Sequence, residues 1–190
     1  QLPRGLQAEL RDYQLEGFRW MAQRARAGAG ICLADDMGLG KTVQTISLLL
    51  KESKEGPSLV LCPTSVTSNW FDQINRFAPD LRPLYHEGKN RATQLAELGP
   101  GDVLLCSYRI LLQDRVELKE VGWNLVVLDE AQYIKNPESK TARAAFEINA
   151  RVRLATTGTP IENRLSELWS IFRFLNPGLL GTLPSFRRRF

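Results

Sequence analysis

The chain is expected to fold as an α/β protein, a doubly wound, mostly parallel sheet with helices on both faces. Three observations predict this. Short apolar runs alternate with segments of helical spacing at intervals of roughly 20–40 residues. Several runs, such as SLVLC, DVLLC and LVVLD, are continuously apolar, as strands buried on both faces are. One run, ICLA, leads through a glycine-containing loop into the helical segment TVQTISLLL.

The elements follow in order. Leu10, Tyr13, Gly17, Phe18 and Met21 recur three or four apart and mark a first helix. Strands are expected at 31–34, 58–62, 82–85, 102–106, 125–128 and 153–155. Residues 51–57, KESKEGP, read as a polar loop before the second strand. Trp70, Ile74 and Phe77 mark a further helix, and Leu165, Leu168, Trp169, Phe172 and Leu175 the last one. Asn136-Pro137 reads as an N-cap followed by proline at the first helical position. Asn176-Pro177-Gly178 ends the last helix. The chain then runs into Phe186-Arg187-Arg188-Arg189-Phe190 without a closing element, as a segment of something longer would.

Composition narrows the classes. The chain has 190 residues, 43% hydrophobic and 24% charged, enough for a domain with its own core and unlike disordered or collagen-like chains. No run approaches the ~18 apolar residues of a membrane-spanning helix. The first residues lack the apolar core of a secretory signal. A net charge of +4 permits a polyanionic partner without demanding one. Cys32, Cys62 and Cys106 lie far apart in apolar runs. They read as buried free thiols of a reducing compartment, not as a disulfide framework or zinc site.

The sharpest motif is Ala34-Asp35-Asp36-Met37-Gly38-Leu39-Gly40-Lys41-Thr42. Between a strand and a helix it fits a phosphate loop. Its glycines let backbone N–H groups turn toward phosphate oxygens at a helix N-terminus. Asp36, Met37, Gly38, Leu39 and Gly40 would form the cradle, Lys41 would reach the β- and γ-phosphates, and the Thr42 hydroxyl would ligate Mg²⁺. Asp35 stands where the general pattern has its first glycine. A plain surface turn is the alternative, and the flanking elements disfavour it. Val43 occupies the third glycine position of a dinucleotide fingerprint, which sets a Rossmann dehydrogenase aside.

The run 124–128 ends in Asp129-Glu130-Ala131-Gln132. A carboxylate at the C-terminal end of a buried parallel strand stands where such sheets bind ligands. Asp129 would hold the Mg²⁺ shell, and Glu130 would orient or deprotonate the attacking water. An acidic turn capping the next helix is the plainer alternative.

Taken in order, the segments LRDYQLEGFRWM (10–21), 35–42, Leu61-Cys62-Pro63, 129–132, TGTPIEN (157–163) and FLNPGLLG (174–181) resemble the first RecA-like lobe of Swi/Snf-type ATPases. These belong to helicase superfamily two and act as DNA translocases and chromatin remodellers. The resemblance spans nearly the whole chain and looks closest to prokaryotic members. It implies that residues 1–175 form the first ATP-binding lobe and 176–190 begin the connection to a second. It implies ATP and Mg²⁺ as cofactors, with Lys41, Asp129 and Glu130 catalytic. Gln14 would read the adenine edge, with Arg11 and Tyr13 lining the pocket; simple core packing is the alternative for Tyr13. Pro63, Thr64, Ser65, Ser107 and Tyr108 would lie on a DNA-facing edge. Gln132, Thr157, Gly158 and Thr159 would couple nucleotide state to DNA. Asn69, Lys89, Lys135 and Arg164 are weaker candidates, each read as readily as a solvated side chain or helix cap. Two positions depart from the family pattern: Asp35-Asp36 replaces the frequent Asp-Glu, and Gln132 replaces the usual histidine. Glutamine can hydrogen-bond there but cannot carry a proton.

The implied activity is ATP-driven translocation along double-stranded DNA, held by its phosphate backbone, in an intracellular compartment: cytoplasm or nucleoid in a prokaryote, nucleus in a eukaryote. The implied partners are the duplex, the second lobe and other DNA-bound proteins, with no membrane. An arginine finger contributes about 10³–10⁵ in turnover, so a lone lobe should be nearly inactive. Two other readings stay open: a lobe of a helicase that unwinds duplexes, and a nucleotide-responsive interaction module without turnover.

Overall fold

A computed structural model describes residues 1–34, 38, 40–158 and 165–190. Among these, six strands form one parallel sheet: β1 (Ile31–Leu33), β2 (Ser58–Cys62), β3 (Arg82–Tyr85), β4 (Asp102–Ser107), β5 (Trp123–Leu128) and β6 (Ala150–Thr156). Their order across the sheet is β1-β6-β5-β2-β4-β3. The helices are α1 (Asp12–Arg26), α2 (Lys41–Glu52), α3 (Thr67–Phe77), α4 (Arg91–Ala96), α5 (Tyr108–Gln113), α6 (Arg115–Glu120), α7 (Lys140–Phe146), α8 (Leu165–Leu175) and α9 (Leu183–Arg189).

The continuous apolar runs are explained by two-sided burial. Alternate side chains of a strand face opposite sides. Val60 and Cys62 of β2, Val103 and Leu105 of β4, and Leu125 and Val127 of β5 join Phe18, Met21, Ile46, Leu49, Trp70 and Ile74 from α1, α2 and α3. Their neighbours Leu59, Leu61, Leu104, Cys106, Val126 and Leu128 join Leu111, Leu118, Ala142, Ala145, Ile171 and Phe174 from the later helices. Both faces must therefore be apolar. Each buried leucine contributes about 1.5–3 kcal/mol of transfer free energy. The three cysteines are free; Cys62 and Cys106 are buried, and Cys32 is half-buried.

Because all pairings are parallel, every strand's C-terminal end reaches the same sheet edge. Leu33 pairs with Thr156, Leu128 with Ala155, Leu61 with Leu128, and Cys62 with Ser107. β1 and β5 lie on either side of β6. Their ends are thus two strand spacings apart, roughly 10 Å.

Several sequence expectations change in detail. β6 begins at Ala150, not 153. Arg151 and Arg153 obscure that strand, yet each guanidinium is satisfied: Arg151 by Asn124 and Glu52, Arg153 by the carbonyls of Phe174 and Ile148. The expected loop 51–57 begins as helix, since α2 runs to Glu52 and a 3₁₀ turn follows. Asn136-Pro137 does not open a helix. Asn136 accepts from the Glu138 N–H in a local turn, and α7 starts at Lys140 with Ser139 as its cap. Past residue 176 the chain closes into α9, capped by Thr182 and seated through buried Phe186.

Candidate functional site

The loop between β1 and α2 carries the first group of predicted residues. Gly38 and Gly40 adopt φ of 82° and 77°, the left-handed region that glycine enters without steric cost. Gly40 also abuts α1: a β-carbon there would collide with the side-chain amide of Gln14. Gln14 is buried, and its Oε1 accepts the Arg11 N–H at 2.9 Å. α1 thus places Gln14 against the end of the loop, where Lys41 and Thr42 open α2, both half-buried. Arg11 and Tyr13 are exposed beside it; Tyr13, at 40%, is not core packing. Asp35, Asp36, Met37 and Leu39 lie outside the described residues.

β5 delivers the second group to the same edge. One Asp129 carboxylate oxygen accepts the Thr156 hydroxyl at 2.8 Å and the Glu130 N–H at 3.1 Å. The other accepts the Trp70 indole N–H at 2.9 Å. The backbone carbonyl of Asp129 accepts the Tyr108 hydroxyl at 2.6 Å. The next residue, Glu130, has φ 53° and ψ 59°, the one left-handed non-glycine among the described residues. That conformation costs a non-glycine residue about 1–3 kcal/mol. The surrounding bonds hold it: the Tyr133 N–H donates to the Glu130 carbonyl, and Gln132 Nε2 donates to a Glu130 carboxylate oxygen at 2.6 Å.

Gln132 uses both ends of its amide, because its Oε1 accepts the Thr157 hydroxyl at 3.3 Å. The Thr157 N–H donates to the Leu33 carbonyl at the end of β1. A hydrogen-bonded path therefore runs from Glu130 through Gln132 and Thr157 to the strand that feeds the glycine loop. Gly158 is half-buried beside it, while Thr159 and Arg164 lie outside the described residues.

The residues expected on a DNA-facing edge divide. Thr64 and Ser65 are exposed after β2, and Pro63 is half-buried. Asn69, Lys89 and Lys135 are exposed too. Ser107 and Tyr108 are not on the surface, which corrects that expectation. Both are at most 4% exposed. The Ser107 hydroxyl caps α5 by accepting the Ile110 N–H. Tyr108 points inward to Asp129, with Tyr133 stacked on its ring at 4.8 Å. Burial, then the nearby Asp129 carboxylate, pushes the Tyr108 phenol well above its ordinary range, so it remains a proton donor. The same two influences, in that order, push the Cys62 thiol up to about 12.

Sequence reasoning missed Trp70 and Thr156 as site residues. Their spacing marks core helix and strand, and only the packed sheet reveals the shared carboxylate. It also missed a buried cluster at the end of β3. The His86 ring lies between Gln94 Oε1 at 3.2 Å and Asp114 at 2.9 Å, and Arg91 grips Asp114 through two nitrogens.

The donor set fits a magnesium ion. A carboxylate offers about four lone-pair positions. Three donors occupy Asp129, leaving one position for a metal or a metal-bound water. Hard oxygen ligands of this kind, with phosphate completing the shell, suit Mg²⁺.

Comparison with known proteins follows the same lines. The SNF2-related domain family matches residues 13–190. The chain is 45% identical over 188 residues to the putative ATP-dependent helicase/translocase YwqA of Bacillus subtilis, covering 95% of this chain and 20% of that protein. It is 40% identical over 206 residues to the TATA-binding protein-associated factor MOT1 of Saccharomyces cerevisiae, covering all of this chain and 11% of that protein. Among solved structures, the Sulfolobus solfataricus SWI2/SNF2 ATPase core in complex with double-stranded DNA superposes with a TM-score of 0.89 at 48% identity. That match covers all of this chain and 41% of the solved one. The chain therefore spans a fifth or less of these two curated relatives and about two-fifths of that solved chain.

Proposed function

The chain belongs to the SNF2-related domain family, and we propose that it is the ATP-binding lobe of a motor that translocates along double-stranded DNA. One observation carries this reading. Gln14, the loop ending in Gly40-Lys41-Thr42, and the Asp129-Glu130 pair, drawn from three distant parts of the sequence, meet at one sheet edge.

In this reading Gln14 pairs with the adenine edge, its carbonyl oriented by the Arg11 N–H. The loop amides and the Lys41 ammonium take the β- and γ-phosphates. Thr42 and Asp129 would hold Mg²⁺, which when bound would neutralise phosphate charge. Glu130 orients the attacking water and accepts its proton. Its left-handed backbone places that carboxylate immediately beyond the strand, and Gln132 restrains it. Exposed Thr64 and Ser65 contact duplex phosphates, so binding is salt-sensitive and largely independent of sequence. Full turnover requires a second lobe that supplies arginine. The setting is intracellular, nucleoid or nucleus, where duplex DNA is found.

Support comes from family membership and from the Sulfolobus core, whose solved complex contains double-stranded DNA. The test is ATP hydrolysis, with and without duplex DNA, by a protein carrying both lobes. Lys41→Ala should abolish the DNA-stimulated rate; hydrolysis that persists at the parental level would remove the reading.

A further inference from the structure

Asp129 receives three side-chain donors, and they come from different kinds of place. Thr156 Oγ1 belongs to a central strand of the sheet. Trp70 sits one turn into α3, the helix that follows the turn carrying the exposed residues Thr64 and Ser65. Tyr108 opens α5, at the strand end where Ser107 caps the helix. Both aromatic residues are buried: Trp70 is 1% exposed and Tyr108 4%. Neither can touch a macromolecule lying on the edge. Each nevertheless joins a strand-end segment to the acidic residue, Trp70 through the carboxylate and Tyr108 through the carbonyl that precedes Glu130.

We infer that Trp70 and Tyr108 are positioning residues that convey duplex contact, made after β2 at Thr64 and Ser65 and at the exposed Tyr133, to Asp129 and Glu130. This rests on the ATPase reading above and deepens it. The physical basis is rigidity. A buried indole or phenol cannot swing freely in a close-packed interior. A shift of α3 or α5 therefore moves its donor relative to Asp129. Moving the indole alters which carboxylate lone pairs remain for the metal. Moving the phenol rotates the 129–130 peptide and with it the left-handed Glu130. The Trp70 bond to the carboxylate is charge-assisted and the Tyr108 bond to the carbonyl is a short neutral one; both are directional, so small displacements change the alignment. Tyr133, half-exposed and stacked on Tyr108, extends the contact to the surface.

Three variants in the protein carrying both lobes test this. Tyr108→Phe removes one oxygen and keeps the ring and its stack. Trp70→Phe keeps an aromatic and removes the donor. Thr156→Val removes the third donor, which comes from a strand of the sheet and not from α3 or α5. The first two should lower the ratio of DNA-stimulated to DNA-free turnover about tenfold, and Trp70→Phe should also raise the Mg²⁺ concentration for half-maximal rate. Their affinity for a duplex should stay within about twofold of the parent's, since neither side chain reaches the surface. Thr156→Val should lower both rates together and preserve the ratio. Tyr108→Phe suffices if Trp70→Phe folds poorly, as melting would reveal. An unchanged ratio in Tyr108→Phe overturns the inference, as does a fall that parallels lost DNA affinity. Lys41→Ala is the separate control: full hydrolysis in that variant removes the ATP site itself, whereas its inactivity beside an unaffected Tyr108→Phe removes only the relay.

Discussion

The side-chain amide of Gln14 rests against Gly40 so closely that a β-carbon at residue 40 would collide with it. Two helices therefore meet at the phosphate loop through an amide and a missing side chain. The contact ties the expected adenine reader to the expected phosphate cradle.

Gly40→Ala faces two penalties at once, the clash and a left-handed φ of 77°. The φ alone costs roughly 1–2 kcal/mol. We expect loss of binding of a fluorescent ATP analogue and a lower urea midpoint. Gln14→Ala should leave the fold intact and reduce the preference for ATP over GTP about tenfold, the scale of one lost bidentate contact. Competition binding with the two nucleotides measures it.

The isolated lobe should hydrolyse ATP near background even with DNA present, because in the proposed reading a second lobe supplies the arginine finger that contributes about 10³–10⁵. Steady-state phosphate release from residues 1–190 checks this. In the two-lobed protein, Glu130→Gln should bind ATP but turn over at least about 100-fold slower, the lower range for a lost general base.

Glu130→Gly should separate stability from activity. Glycine relieves the left-handed strain at φ 53°, worth about 1 kcal/mol. We expect a higher melting temperature together with abolished turnover. A lower melting temperature would show that the Gln132 bond outweighs the strain.

Acid should loosen the far end of the edge. The Arg91 hydrogen bond holds Asp114 below its ordinary value of 3.8; burial opposes this, and the positive charges of Arg91 and His86 add to it. A lowered folded value means the stabilisation is complete above about pH 3.8 and is lost as pH falls through the lower folded value. Asp114→Asn should melt earlier than the parent at neutral pH, and the gap should close as pH drops below that point. Parallel melting curves across the range would refute the linkage.

Much of the fold was legible because two-sided burial writes itself directly into composition. Residues 59–62 and 125–128 have no polar residue to place outward, and both lie in strands of the sheet's interior. β6 was legible only in part, since Arg151 and Arg153 break its apolar run and are satisfied by groups remote in sequence. The short helices α4, α5, α6 and α9 were missed, because six or seven residues give too few turns for a periodic stripe.

The sequence by itself determined the layered sheet and singled out the glycine loop and the acidic pair as candidates, because those depend on local order: strand, glycine, lysine, helix. Tertiary structure alone decided what surrounds Asp129. Its donors sit 59, 21 and 27 residues away in sequence on α3, α5 and β6. No local pattern records such distances; the parallel register brings those strand ends together, and packing then turns Tyr108 inward rather than out toward a partner.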